Sequence, residues 1–147
     1  MVDEGRVARL LRGVDERVAR LVAGRELPDG RRSEPLWLDG IKYLFVTAIE
    51  GCIDAAHHII ASERWAAVDS NAAAFGVLRD HEVLTASTAS QMSAAVGFRN
   101  VLVHQYARVD DERVIAFLER DLGVLTAYTG EVSAWMLAHG GAATPGS

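Results

Sequence analysis

The sequence predicts an all-α protein, an up-and-down bundle of four main helices plus one short helix. Three observations lead there. Apolar residues recur every three or four positions through most of the chain, the Gly- and Pro-containing breaks fall between those segments, and no strand-length run of strict alternation occurs. At 147 residues the chain suits one domain with a core large enough to fold without metal or disulfide support. The domain is expected over 1–139, with Gly140 to Ser147 (Gly-Gly-Ala-Ala-Thr-Pro-Gly-Ser) as a flexible tail.

The first helix carries Val7, Leu10, Leu11, Val14, Val18, Leu21 and Val22 on one face. It is expected to stop near Gly24, before a loop marked by Pro28-Asp29-Gly30. The second is the longest. Trp37, Ile41, Leu44, Phe45, Ala48, Ile49, Cys52, Ile53, Ala56, Ile59 and Ile60 keep the helical rhythm after Ser33-Glu34-Pro35, for a length of roughly 40 Å. The short helix runs from Asp69 to Asp80 around Ala73, Phe75 and Leu78, with Asp69 or Ser70 as its cap. Thr85 caps the next, which contains Met92, Val96, Phe98, Val101 and Leu102. Asp110 caps the last, whose buried side holds Val114, Phe117, Leu118, Leu125, Tyr128, Val132 and Trp135, with Asp121 breaking the stripe.

Half the residues are apolar, which excludes a disordered chain. The single cysteine, Cys52, sits among apolar neighbours and reads as a buried free thiol in a reducing compartment. The charged N-terminal stretch has no apolar signal-peptide region. The most apolar segment, Leu36 to Ala61, contains Lys42, Glu50, Asp54, His57 and His58 and is expected not to span a membrane. A cytoplasmic protein is therefore expected. The net charge of −5 offers no global attraction to nucleic acid, so any nucleic-acid site must be a local patch.

The segment Arg99-Asn100-Val101-Leu102-Val103-His104-Gln105-Tyr106 stands out. On a helix Asn100 and His104 share one stripe, four residues apart, while Arg99, Val103 and Tyr106 share the neighbouring one. Guanidinium, amide, imidazole and phenol can thus border a single groove. Spacing alone is equally consistent with a polar cluster that holds helices in register.

Gly97-Phe98-Arg99-Asn100-Val101-Leu102-Val103-His104-Gln105-Tyr106 resembles the signature of HepT-like toxins in the HEPN superfamily: Arg, a polar residue, three more residues, His, any residue, Tyr. Ile49-Glu50, Ala55 to Ile60, Phe75 to Leu84 and Val109 to Val114 follow the same order, so the resemblance covers roughly Leu36 to Trp135. It implies a HEPN-like bundle and metal-independent RNA cleavage by the toxin of a toxin–antitoxin pair, without cofactor. Arg99 would hold the scissile phosphate, His104 would act as general base or acid, and Asn100 would orient His104 or a phosphate oxygen. Tyr106 matches the position at which a minimal nucleotidyltransferase antitoxin attaches AMP. A homodimer would bring two motifs to one cleft. The alternative is a non-catalytic HEPN bundle that binds a nucleotidyltransferase or a small ligand.

Glu50, Asp54, His57 and His58 read as a polar face lining a helix boundary; the alternative for Glu50 is that it faces the motif across the bundle and pairs with Arg99. Asp54 and His57 have one spacing of a di-metal bundle, but no second carboxylate–His helix accompanies them, so no metal is expected. The first-helix arginines Arg6, Arg9, Arg12, Arg17 and Arg20 read as a solvated face, and Arg31-Arg32 likewise. Trp37, Trp65 and Trp135 read as core or interface anchors. His81 and His139 join no constellation.

Overall fold

The structure, a computed structural model, describes residues 2–105 and 110–139. The expected tail, 140–147, lies outside the described residues, as does Tyr106. Seven helices occur among the described residues: α1 (Glu4–Arg25), α2 (Asp29–Arg32), α3 (Pro35–Ser62), α4 (Asn71–Asp80), α5 (Ala86–His104), α6 (Asp111–Arg120) and α7 (Gly123–His139). The all-α reading holds, with two differences in count. The loop at Pro28-Asp29-Gly30 contains the single turn α2, and the expected last helix is two helices.

The caps follow the side chains that favour them. Asp3, Ser70, Thr85 and Asp110 each accept a hydrogen bond from a backbone N–H in the first turn of α1, α4, α5 and α6. Pro35 occupies the first turn of α3, where its missing N–H costs nothing. The split between α6 and α7 falls at Asp121, whose ψ of 4° leaves helical geometry. Phe117 of α6 packs on Phe45 of α3 and Phe98 of α5, and Tyr128 and Val132 of α7 are buried in the core.

By length and composition α3 could cross a bilayer. Its packing on α1, α4, α5 and α7 makes it the core helix of the bundle. It lies antiparallel to α1. The Asp3 backbone N–H meets His58 at 3.2 Å, Arg17 meets Thr47 at 2.8 Å, and the Trp37 indole N–H donates to the Gly24 carbonyl at 3.1 Å. A Cβ on Gly51 would lie 2.8 Å from Val14 Cγ2, so glycine is what permits this close approach. From α7, the buried Tyr128 hydroxyl donates to the Cys52 carbonyl at 2.8 Å.

The far end of the bundle carries a cluster that sequence reading left scattered. The His81 ring stacks on Trp65 at 3.9 Å, Trp65 meets Trp135 edge-on at 5.9 Å, and Trp135 stacks on His139 at 4.9 Å. Arg64 and Glu82 adopt left-handed φ values of 59° and 61° just past the ends of α3 and α4. These turns bring Trp65 and His81 together, so the two histidines do join a constellation, a structural one.

Candidate functional site

Arg99 to His104 of the motif occupy the last turns of α5, and apolar neighbours fix their orientation. Phe98 and Leu102 are buried on either side of Arg99. Phe98 stacks on Phe117 at 4.7 Å and meets Phe45 edge-on at 5.5 Å, while Phe45 and Phe117 meet at 5.0 Å. Each aromatic pair contributes about 0.5–1.5 kcal/mol beyond burial. This trio joins α3, α5 and α6 directly beneath the motif. Sequence reading placed the three rings on buried faces but had no means to pair them.

Arg99 projects from this anchored turn with its side chain 19% exposed. Its Nη2 donates to Glu50 Oε2 at 2.6 Å, and its Nη1 donates to Asn100 Oδ1 at 3.0 Å. Its Nε is buried without a hydrogen-bond partner among the described residues. A guanidinium has five N–H groups, so each Nη keeps one further donor for an incoming oxyanion. The fork is therefore oriented by two acceptors yet keeps bidentate capacity for a phosphate.

The structure thus brings Glu50, Arg99 and Asn100 together. Asn100 bonds to Arg99 rather than to His104 among the described residues. His104 is the last residue of α5, exposed, with Gln105 closing the helix through its N–H to the Val101 carbonyl at 2.9 Å. Tyr106 was expected on the Arg99 stripe, and its placement lies outside the described residues. Val103, beside His104, is an exposed apolar side chain. On the neighbouring α3, Lys42 is buried and pairs with Asp111 at 3.1 Å, which ties α3 to the start of α6.

His57, His58 and Arg32 have structural partners. His57 meets Asn71 Oδ1 at 2.9 Å, and His58 receives the Asp3 N–H. No group of three or more His, Cys, Asp or Glu among the described residues could hold a metal ion. Arg32 pairs with Glu119 at 3.2 Å and covers the Trp37 ring. Cys52 is fully buried, and that burial pushes its thiol far above the ordinary range. It is an inert core residue.

Residues 15–132 match the family model described as Ribonuclease HepT-like. The chain belongs to this family. An RNA-cleaving enzyme of the HEPN type, expected from the motif, is thereby met at family level. Among curated relatives, the tRNA nuclease HepT of Aphanizomenon flos-aquae is 26% identical over 88 residues. That match spans 60% of this chain and 60% of the relative.

Among solved structures, the cytosolic protein YutE of Bacillus subtilis superposes with a TM-score of 0.86 at 16% identity, over 99% of this chain and 96% of that one. A tri-AMPylated Shewanella oneidensis HEPN toxin, in complex with an MNT antitoxin, superposes with a TM-score of 0.82 at 19% identity. That superposition covers 91% of this chain and 99% of the toxin. At such identities the likeness establishes the shared fold, a HEPN bundle.

Proposed function

We propose that this HepT-like protein is the RNA-cleaving toxin of a toxin–antitoxin pair, acting in the cytoplasm without a metal ion. The observation that carries the reading is the Arg99 fork, held by Glu50 and Asn100 at the end of α5, five residues before an exposed His104. Arg99 binds the scissile phosphate and stabilises the charge that builds on its oxygens in the transition state. An imidazole takes the proton of the ribose 2′-hydroxyl as the 2′-oxygen attacks phosphorus. The bond to the 5′-oxygen breaks, and an imidazolium protonates that oxygen. The products are a 2′,3′-cyclic phosphate and a 5′-hydroxyl.

One histidine per chain fills one of these two proton roles, so a homodimer with two motifs at one cleft completes the site. The exposed Val103, within the motif itself, is an apolar contact suited to such an interface. Asn100 steadies the guanidinium, and through it the phosphate.

The partner is a minimal nucleotidyltransferase. It transfers AMP from ATP to the Tyr106 hydroxyl with release of pyrophosphate, and the added anion blocks phosphate binding at the motif. The AMPylated toxin with its MNT antitoxin, on the same fold, supports this regulation.

Expression of the chain alone is expected to arrest bacterial growth, whereas Arg99→Ala and His104→Ala variants permit it. RNA cleavage in vitro should persist in EDTA. Tyr106→Phe should stay toxic while escaping protection by the nucleotidyltransferase. Equal growth arrest by the wild type and both motif variants would overturn the nuclease reading. Unaltered AMP incorporation in Tyr106→Phe, read by mass, would overturn the regulatory one.

A further inference from the structure

A groove of about 300 Å³ runs between α1 and α3, lined by Arg9 and Arg17 on one wall and Thr47, Glu50, Gly51 and Asp54 on the other. Its polar wall is a helical stripe, since Thr47, Glu50, Gly51 and Asp54 are spaced by three, one and three residues. Glu50 belongs to both features: its carboxylate lines the groove and binds Arg99 at 2.6 Å. Glu50 therefore links the groove to the motif guanidinium, which binds its carboxylate without lining the groove itself.

The α1 wall carries Arg9 and Arg17 against Glu50 and Asp54 on the α3 wall, and the basic residues continue along α1 beyond the groove. At about 100° per residue, Arg6, Arg9, Arg17 and Arg20 fall within one sector of α1 about 80° wide, next to its buried stripe. Arg12 falls outside that sector. Arg17 is preset by two hydrogen bonds, from Nε to Thr47 Oγ1 at 2.8 Å and from Nη1 to the Gly13 carbonyl at 3.0 Å. Thr47 in turn donates to the Tyr43 carbonyl at 2.9 Å. A guanidinium locked onto a groove wall, with Nη2 still available, is a preorganised anion contact. Arg9 and Arg17 lie two turns apart, about 12 Å along the axis, which separates them enough to serve different phosphates of one strand. The Glu50 carboxylate, already satisfied by Arg99, repels these phosphates less than a bare carboxylate would.

We propose that the α1–α3 groove is the track for the single-stranded RNA flanking the cleavage point, with Arg9 and Arg17 each holding a backbone phosphate. This rests on the nuclease reading and assigns the substrate path that the motif alone does not define. The first-helix arginines are then a binding surface rather than merely a solvated face.

The test uses the full chain and a single-stranded RNA of about ten nucleotides carrying 2′-O-methyl groups, which removes the attacking hydroxyl and lets binding be read by fluorescence anisotropy. Each phosphate contact on a single strand contributes about 0.7 to the slope of log affinity against log salt. Arg9→Ala and Arg17→Ala should each lower that slope by about 0.7 and weaken binding roughly threefold to tenfold at low salt. Arg12→Ala should match the wild type. Arg17→Ala also removes the Thr47 bond, so Arg9→Ala is the cleaner variant.

Wild-type slope and affinity in both Arg9→Ala and Arg17→Ala overturn the track while leaving the nuclease reading intact. Failure of the wild type to bind this RNA, together with failure to cleave the unmodified strand, overturns both. Weakened binding of a nucleotidyltransferase by these variants, with the RNA slope unchanged, assigns the groove to a protein partner and also overturns the proposal.

Discussion

Removing the Glu50 charge should loosen Arg99 and slow cleavage. Glu50→Gln keeps an acceptor at the same reach but removes the ion pair with Nη2 at 2.6 Å. The environment sets the magnitude. A fully exposed pair contributes up to about 1 kcal/mol, and a hydrogen bond to a charged group in the interior about 1.5–3 kcal/mol. Here the side chains are 19% and 40% exposed for Arg99 and Glu50, between those limits. The coupling should therefore be about 1–1.5 kcal/mol.

A double-mutant cycle over Glu50→Gln, Arg99→Ala and the double variant, followed by urea unfolding, measures that coupling directly. If the same energy orients the guanidinium in the transition state, the cleavage rate of Glu50→Gln should fall about tenfold with little change in KM. Coupling below about 0.3 kcal/mol, within the usual error of additivity, would refute the reasoning. So would a Glu50→Gln enzyme faster than the wild type, because Glu50 would then compete with phosphate instead of orienting its ligand.

Two glycines give opposite expectations in thermal or urea unfolding. Gly97→Ala should stabilise by about 0.5–1 kcal/mol, because a Cβ there meets nothing within 4 Å and α5 gains helix propensity. Gly51→Ala should destabilise by about 1–2 kcal/mol despite the same propensity gain, because its Cβ would press on the stiff, buried Val14 at 2.8 Å. Cys52 should resist thiol reagents in the folded protein across neutral and mildly alkaline pH, since burial holds the thiol protonated. Labelling should follow global unfolding in denaturant, and rapid modification of the native protein would contradict this.

Much of the architecture was legible along the chain because its causes are local. The i, i+3, i+4 stripe of α3 follows from helical geometry, as do the caps at Ser70, Thr85 and Asp110 and the nearness of Arg99 to Asn100. Asp121 was visible as a flaw in the last apolar stripe. That it ends a helix shows only in the fold, where Phe117 of α6 packs on Phe98 and Tyr128 of α7 bonds to the Cys52 carbonyl. The candidate site residues could be named from sequence because the motif is contiguous, with Arg99 to His104 on one helix.

What sequence could offer only as a guess was the partner of Arg99, because Glu50 stands 49 residues away on another helix. Periodicity shows which face of each helix is buried, but not how two helices are rotated and shifted against one another. That relation comes from close approaches such as Gly51 against Val14 and from the Phe45–Phe98–Phe117 trio. It alone places Arg9 and Arg17 on one wall of a groove whose other wall carries Glu50, the partner of Arg99. Sequence by itself determined most of the helices through local propensity and spacing, and it singled out the candidate motif. Only the tertiary structure decided that Glu50 holds the guanidinium and that Arg9 and Arg17 share a groove with that carboxylate, because those contacts arise where separate helices pack.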